Sequence, residues 1–330
     1  MRLQDLHDLP KVRDSVGYLY VEHCRIDQHD KAIAVHDEHG VTPVPCASLM
    51  LLMLGPGVKI THAAILTLAD NDCLVVWCGE QGVRFYAAGL GATRGAARLL
   101  RQATLATRRS TRLTVVRRLY EMRFAERLVP ELTLKQIRGM EGMRVRKAYS
   151  AASAASGVPW TARSYDRDSW ASADPVNRAL SSANSCLYGL CHAAIVAAGY
   201  SPALGFIHTG KQLSFVYDVA DLYKVDLTVP VAFQVAASGV GPVERESRLR
   251  CRDAFEKAGL LGRVVNDIEQ ALNVHLPEDD VADFDGDPAL PGALWDPDQG
   301  TVEGGQNYGD ATAEQKPSGT DAAPKTEAEP

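Results

Sequence analysis

The sequence predicts an α+β protein: a β-sandwich-like N-terminal domain over residues 1–92, an all-helical catalytic domain over 93–276, and an acidic, Pro/Gly-rich, disordered tail over 277–330. Three observations lead there. Short β-branched and aromatic runs crowd the first ninety residues. From about Thr93, apolar residues recur at three- and four-residue spacing. From about Pro277 that periodicity stops, and Pro, Gly, Ala and acids take over, too little apolar surface for a core.

The elements follow in order. VGYLYVEHC, KAIAVHD, SLMLLML, DCLVVWCG and VRFYAAG read as strands between the turn signals DEHG, GPG and GEQG. One helix interrupts them, HAAILTLADN, with Thr61 as its N-cap. RGAARLLRQATLATRRSTRLTVVRRLYEMRFAERL is amphipathic helix punctuated by Pro130, and TLKQIRGMEGMRVRKAYSAASAASG resumes as another. DPVNRALSSANSCLYGLCHAAIVAAGY is a third, capped by Asp174, with Pro175 in its first turn and Gly199 near its end. LSFVYDVADLYKVDLTVPVAFQVA is helical in period up to Pro230, and ESRLRCRDAFEKAG and LGRVVNDIEQALNVH complete the set.

Composition narrows the function classes. No apolar run reaches the length of a membrane span, and MRLQDLHDLPKVRDS lacks the hydrophobic stretch of a signal peptide. Seven cysteines, an odd number with no CxxC pair, give no support to a disulfide framework or zinc knuckle; reduced thiols in the cytoplasm are expected. The net charge of −6 conceals an asymmetry. His275 to Pro330 holds 14 Asp/Glu against 2 Lys, leaving a body of 33 basic and 27 acidic residues. Within it, Arg84 to Lys147 carries 16 Lys/Arg, nearly all arginine, against 4 Glu. Such a body suits a polyanion partner through bidentate phosphate contacts. Arginines that merely solvate helix faces account for the charge equally well.

Three segments offer metal-binding donors: Glu141 in RGMEGMRVR, His208 in GFIHTGK, and Asp218 with Asp221 in FVYDVADLYK. At i, i+3 the two aspartates share a helix face. Two carboxylates and an imidazole would hold a divalent ion with positions left open, as phosphoryl transfer requires. Hard oxygen donors with one His suit magnesium or manganese better than zinc. By spacing alone, Glu141 reads more readily as a salt-bridge partner, His208 as a structural residue, and the aspartates as a solvated face. His23, His29, His36 and His39 fit no ligand motif and are set aside.

From about Asp14 to Asn273 the chain resembles the CRISPR-associated integrase of subtype I-E adaptation modules. GPGVKITHAAI, GVRFYAAG, VVRRLYEMRF, QIRGMEGMRVR, SCLYGL, AAIVAAGYSPALGFIHTGKQLSFVYDVADLYK and RLRCRDAF carry the resemblance, in the family's order and spacing. It implies a β-domain for dimerisation and DNA contact, followed by a helical catalytic domain. Glu141, His208 and Asp221 would be the catalytic metal ligands, with Asp218 a neighbouring acid. Arg84, Tyr188, Lys211, Lys224 and Arg248 would contact DNA. The implied partners are double-stranded DNA, as captured fragment and repeat array, a second copy of the chain, and a dimer of a small ferredoxin-like protein. The implied reaction is metal-dependent joining of 3′-hydroxyl ends to phosphodiesters at repeat borders, with Mg2+ or Mn2+. Where the family places an aromatic wedge, this chain has His23, a weaker stacker. The tail docks the partner, senses incoming DNA or simply solvates. Two other readings stay open: a structure-specific endonuclease acting on branched DNA in repair, and a DNA-binding scaffold without catalysis.

Overall fold

Strand β5, Leu49–Leu54, reads LMLLML without the polar alternation of a half-exposed strand. A continuous apolar run is the mark of a strand covered on both faces, and the computed structural model places it so. The structure describes residues 17–30, 32–46, 49–71, 73–82, 84–89, 96–163, 174–276, 294–296 and 300–302. The sheet containing β5 has the order β1-β5-β7-β8, formed by Gly17–Val21, Leu49–Leu54, Leu74–Cys78 and Phe85–Gly89. Leu52, Leu54 and Val75 face a core shared with the second sheet. Their neighbours Leu51, Met53, Leu74 and Val76 point the other way, into the helices. Each such buried aliphatic side chain is worth roughly 1.5–3 kcal/mol.

The second sheet runs β4-β3-β2-β6, from Gly40–Val44, Ala32–Asp37, Arg25–His29 and Lys59–Ile60. Helix α1, His62–Asp70, packs against it, its first turn closed by Thr61 Oγ1 accepting from the Ala64 N–H as expected. Three strands escaped the sequence reading. β2 is polar, β6 has two residues, and β4 contains Pro43, which an edge strand tolerates because one side of its ladder is unpaired.

The helices are α2 Ala97–Thr107, α3 Arg109–Phe124, α4 Leu134–Ser156, α5 Pro175–Ala197, α6 Ser214–Ala220, α7 Val229–Ser238, α8 Val243–Lys257 and α9 Leu260–Leu272. Buried α5 is the hub, and its ends are as read: Asp174 accepts from the Asn177 N–H at 2.8 Å, Pro175 opens the first turn, and Gly199 follows the last at φ +80°. Tyr200 N–H then donates to the Ile195 carbonyl, a left-handed C-terminal closure. Pro230, expected to end a helix, instead sits in the first turn of α7 after a π-helical stretch, Lys224–Thr228; a first-turn proline has no hydrogen bond to lose.

Four arginines of α2 and α3 do more than solvate helix faces. Arg98 donates to the Ala198 carbonyl at 3.0 Å, Arg101 to Val274 at 2.7 Å, Arg117 to Val129 at 2.7 Å and Leu132 at 2.9 Å, and Arg118 to Asn273. They satisfy carbonyls left over at the ends of α5 and α9 and in the turn before α4.

One compact unit runs to Val281 and takes in both the β-rich and the helical regions. A second covers Ala282–Pro330. Most of the tail read as disordered lies outside the described residues; within it β9, Leu294–Asp296, pairs antiparallel with β10, Gly300–Val302. No helix among the described residues is long and apolar enough to cross a membrane.

Candidate active site

Elements of the helical region meet at one buried guanidinium. Arg123 lies in the last turn of α3 with 3% of its side chain exposed. Its Nη1 is 3.7 Å from Oε1 of Glu141 on α4, and its Nη2 is 3.3 Å from Oδ2 of Asp221, the residue closing α6. Nη2 also donates to the Asp218 carbonyl at 3.2 Å, and the guanidinium stands 5.1 Å from the Tyr120 ring centre. A buried charge persists only when paired; two carboxylates pair this one, while its Nε is buried without a hydrogen-bond partner.

Both carboxylates hold further cations. Arg144, one turn along α4, donates to Glu141 at 3.0 Å. Lys224 donates to Asp221 at 2.5 Å and lies 4.8 Å over the Tyr188 ring. Burial pushes the Lys224 ammonium down, but Asp221 and Tyr188 beside it outweigh burial and hold it above the ordinary lysine value.

His208 arrives on the segment between α5 and α6. Fully buried Asp218 accepts the backbone N–H groups of Phe206 at 2.6 Å, Ile207 at 3.0 Å and His208 at 2.9 Å, and its Oδ1 is 2.7 Å from His208 Nδ1. Beside a carboxylate Nδ1 carries a hydrogen, which in the neutral ring leaves the lone pair on Nε2. Arg112 grips the same loop from outside, donating to the Phe206 carbonyl at 2.9 Å and to Gly205 at 3.3 Å. The buried Gln102 amide donates to Ser201 and Leu204. Only glycine fits at 205, where a Cβ would stand 2.4 Å from the His208 carbonyl oxygen.

The structure thus sets Glu141 and Asp221 on one guanidinium. His208 joins them through a chain of rings, its imidazole 5.7 Å from Tyr217 and Tyr217 5.0 Å from Tyr188. Asp218, read as a neighbouring acid, lies 2.7 Å from the His208 imidazole and is the internal bracket that closes the loop. Among the described residues no three His, Cys, Asp or Glu side chains are gathered as metal ligands; basic side chains stand against both carboxylates. The donor chemistry fits a hard divalent cation all the same: two carboxylates plus an imidazole whose second nitrogen is anchored by an acid. Of the histidines set aside, His36 is 2.9 Å from Asp27 and His39 is 3.6 Å from Glu38, with no cluster formed.

A cleft of about 810 Å³ opens between α5, α8 and the β7–β8 connection. Arg84, Tyr188 and Arg248, which the resemblance implied as DNA contacts, line it, joined by Tyr86, Arg163, Ser181 and Ser185. Gly189 lets α5 pass close under the connection, since a Cβ there would meet the Arg84 nitrogen at 3.2 Å; Arg84 itself adopts φ +65°. Arg248 pairs with Glu80 at 3.0 Å, and Arg163 donates to Ser181 at 2.7 Å. Lys211 is exposed just before α6. Lys224, read as a DNA contact, has its ammonium on Asp221. His23 is exposed at φ +50° in the β1–β2 turn. Arg123 and Arg163 were not singled out from sequence. Arg123 stands in VVRRLYEMRF, where nothing separates it from its neighbours; Arg163 lies outside every matched stretch.

Residues 118–241 match the family model described as CRISPR associated protein Cas1. The chain is 53% identical over 307 residues to CRISPR-associated endonuclease Cas1 2 of Thermus thermophilus, covering 93% of this chain and 94% of that protein. It is 43% identical over 268 residues to CRISPR-associated endonuclease Cas1 of Escherichia coli K12, covering 81% and 88%. The crystal structure of a TtCas1–DNA complex superposes with TM-score 0.74 at 53% identity, over 81% of this chain and 100% of that one. A casposase bound to an integration product shares the fold, with TM-score 0.50 at 14% identity over 78% of this chain and 95% of that one.

Proposed function

Because the chain belongs to the CRISPR-associated Cas1 endonuclease family, we propose that it inserts captured duplex DNA into a repeat array, joining 3′-hydroxyl ends to phosphodiesters by metal-dependent transesterification. The observation that carries this reading is the meeting of Glu141 and Asp221 at Arg123, with His208 linked to them, beside an arginine- and serine-lined cleft. That a related Cas1 was crystallised with DNA supports DNA as the partner. The assembly proposed is a homodimer working with a dimer of a small ferredoxin-like adaptation protein.

In the reaction a 3′-oxygen forms a bond to phosphorus as the repeat strand's P–O3′ bond breaks. The departing oxygen ends with the proton, and the number of phosphodiesters is unchanged, so no nucleotide cofactor is consumed. A bound Mg2+ or Mn2+ would polarise the phosphoryl oxygen and ease loss of the attacking hydroxyl's proton. Glu141, Asp221 and His208 Nε2 are the groups that would hold it. Asp218 fixes which imidazole nitrogen is free. Arg84, Arg163 and Arg248 would take backbone phosphates, Tyr188 and Tyr86 would offer ring faces to bases, and the exposed Lys211 would contact the incoming strand. The protein's share is orientation and charge.

A joining assay with a 3′-hydroxyl duplex, a repeat-bearing plasmid and the adaptation partner tests the reading. Glu141→Ala, His208→Ala and Asp221→Ala should each lower joining by at least about 100-fold while duplex binding persists. Integration at wild-type rate by all three would refute the site. Free nicked product without joined strands would favour the branched-DNA endonuclease instead.

A further inference from the structure

The charged groups that meet at the candidate site are balanced before any ion arrives. Three carboxylates, Glu141, Asp218 and Asp221, stand with three cations, Arg123, Arg144 and Lys224. Asp218 is engaged by three backbone N–H groups and an imidazole, so the two remaining carboxylates are outnumbered. Arg144 and Lys224, with side chains 22% and 25% exposed, reach solvent. Arg123, 3% exposed, is pinned by the Asp218 carbonyl and the Tyr120 ring. A divalent cation between Glu141 and Asp221 therefore meets a guanidinium that cannot leave, and like charges a few ångströms apart repel strongly where water is scarce.

We propose that Arg123 is a fixed counter-cation that makes metal loading depend on DNA: the free protein holds a divalent ion weakly, and a phosphodiester at the site supplies the missing negative charge and a further oxygen ligand. By linkage the ion tightens DNA by the same factor. This rests on reading Glu141, His208 and Asp221 as the ligands. It accounts for two carboxylates that meet at one guanidinium without being gathered with His208 as a ligand set among the described residues. In this role Arg123 is a positioning residue that touches neither reacting oxygen.

Mn2+ binding to the full-length chain, followed by electron paramagnetic resonance with and without a duplex ending in 3′-deoxynucleotides, tests it. Ion held by the duplex itself is subtracted with the Asp221→Asn protein. Wild-type affinity should rise roughly 5- to 150-fold with the duplex. Arg123→Gln should bind Mn2+ more tightly without DNA and lose most of the increase, while Arg123→Lys keeps it. Should Arg123→Gln fail to give a cooperative melt, Arg123→Met, which keeps the side-chain bulk without the charge, serves with the same expectation; an increase with duplex equal to wild type in the folded variant removes Arg123 from the coupling. Equal Mn2+ affinity with and without duplex, abolished by Glu141→Gln, overturns the coupling and leaves the ligand assignment standing. Mn2+ binding indifferent to Glu141→Gln, or absent even with duplex, overturns both.

Discussion

Arg98, Arg101, Arg112, Arg117 and Arg118, on α2 and α3, donate to backbone carbonyls at helix ends and in the loop carrying His208. Arg84 and Arg248, around the cleft, stand among hydroxyls and aromatic rings, and Arg248 bonds to Glu80 at its wall; Arg163 belongs to both groups, donating to the Asn177 carbonyl at 2.9 Å and to the Ser181 hydroxyl at 2.7 Å. One residue type thus serves two ends. A guanidinium whose N–H groups are taken by carbonyls binds the fold together and has little left for phosphate. Charge counted along a sequence mixes the two populations, and only the partner of each side chain sorts them.

The sharpest way to break this division is Arg112→Ala. Removing a charged donor from the Phe206 and Gly205 carbonyls should destabilise the protein by about 2–4 kcal/mol in urea unfolding, with the salt dependence of DNA binding unchanged. If DNA affinity falls and stability holds, Arg112 belongs with the cleft. Arg84→Ala should do the reverse: stability within about 0.5 kcal/mol, and the slope of log affinity against log salt lower by about one. A salt slope equal to wild type would remove Arg84 from the phosphate-binding set.

The smallest effect lies between the regions. His192 of α5 stacks on Phe85 of β8 with ring centres 3.7 Å apart, and burial pushes its pKa from 6.5 down to about 4. The unfolded chain takes up this proton near 6.5 and the folded one near 4, so stability falls as pH drops through that window. Partial exposure limits the loss to about 1 kcal/mol. His192→Phe should flatten that part of the pH–stability profile, read by thermal melts; an unchanged profile would place the dependence elsewhere.

Signals that act within a few residues were legible in the sequence. Thr61 and Asp174 announced their helices because a cap bonds to a backbone group three residues on. SLMLLML announced a strand. The polar β2 and the proline-bearing edge strand β4 lacked such a signal, since their strand character comes from the neighbours they pair with. Pro230 misled because a proline that ends one helix is equally at home starting the next. For the site, family likeness pointed to Glu141, His208 and Asp221, whereas Arg123 and the part played by Asp218 depend on contacts between segments distant along the chain.

Asp218 gives the molecule a safeguard. The same carboxylate that ties three peptide N–H groups into a loop also turns the imidazole of His208. A polypeptide still maturing, with that knot untied, has no oriented histidine. Under the function proposed above, its imidazole is set for an ion only once its interior is complete.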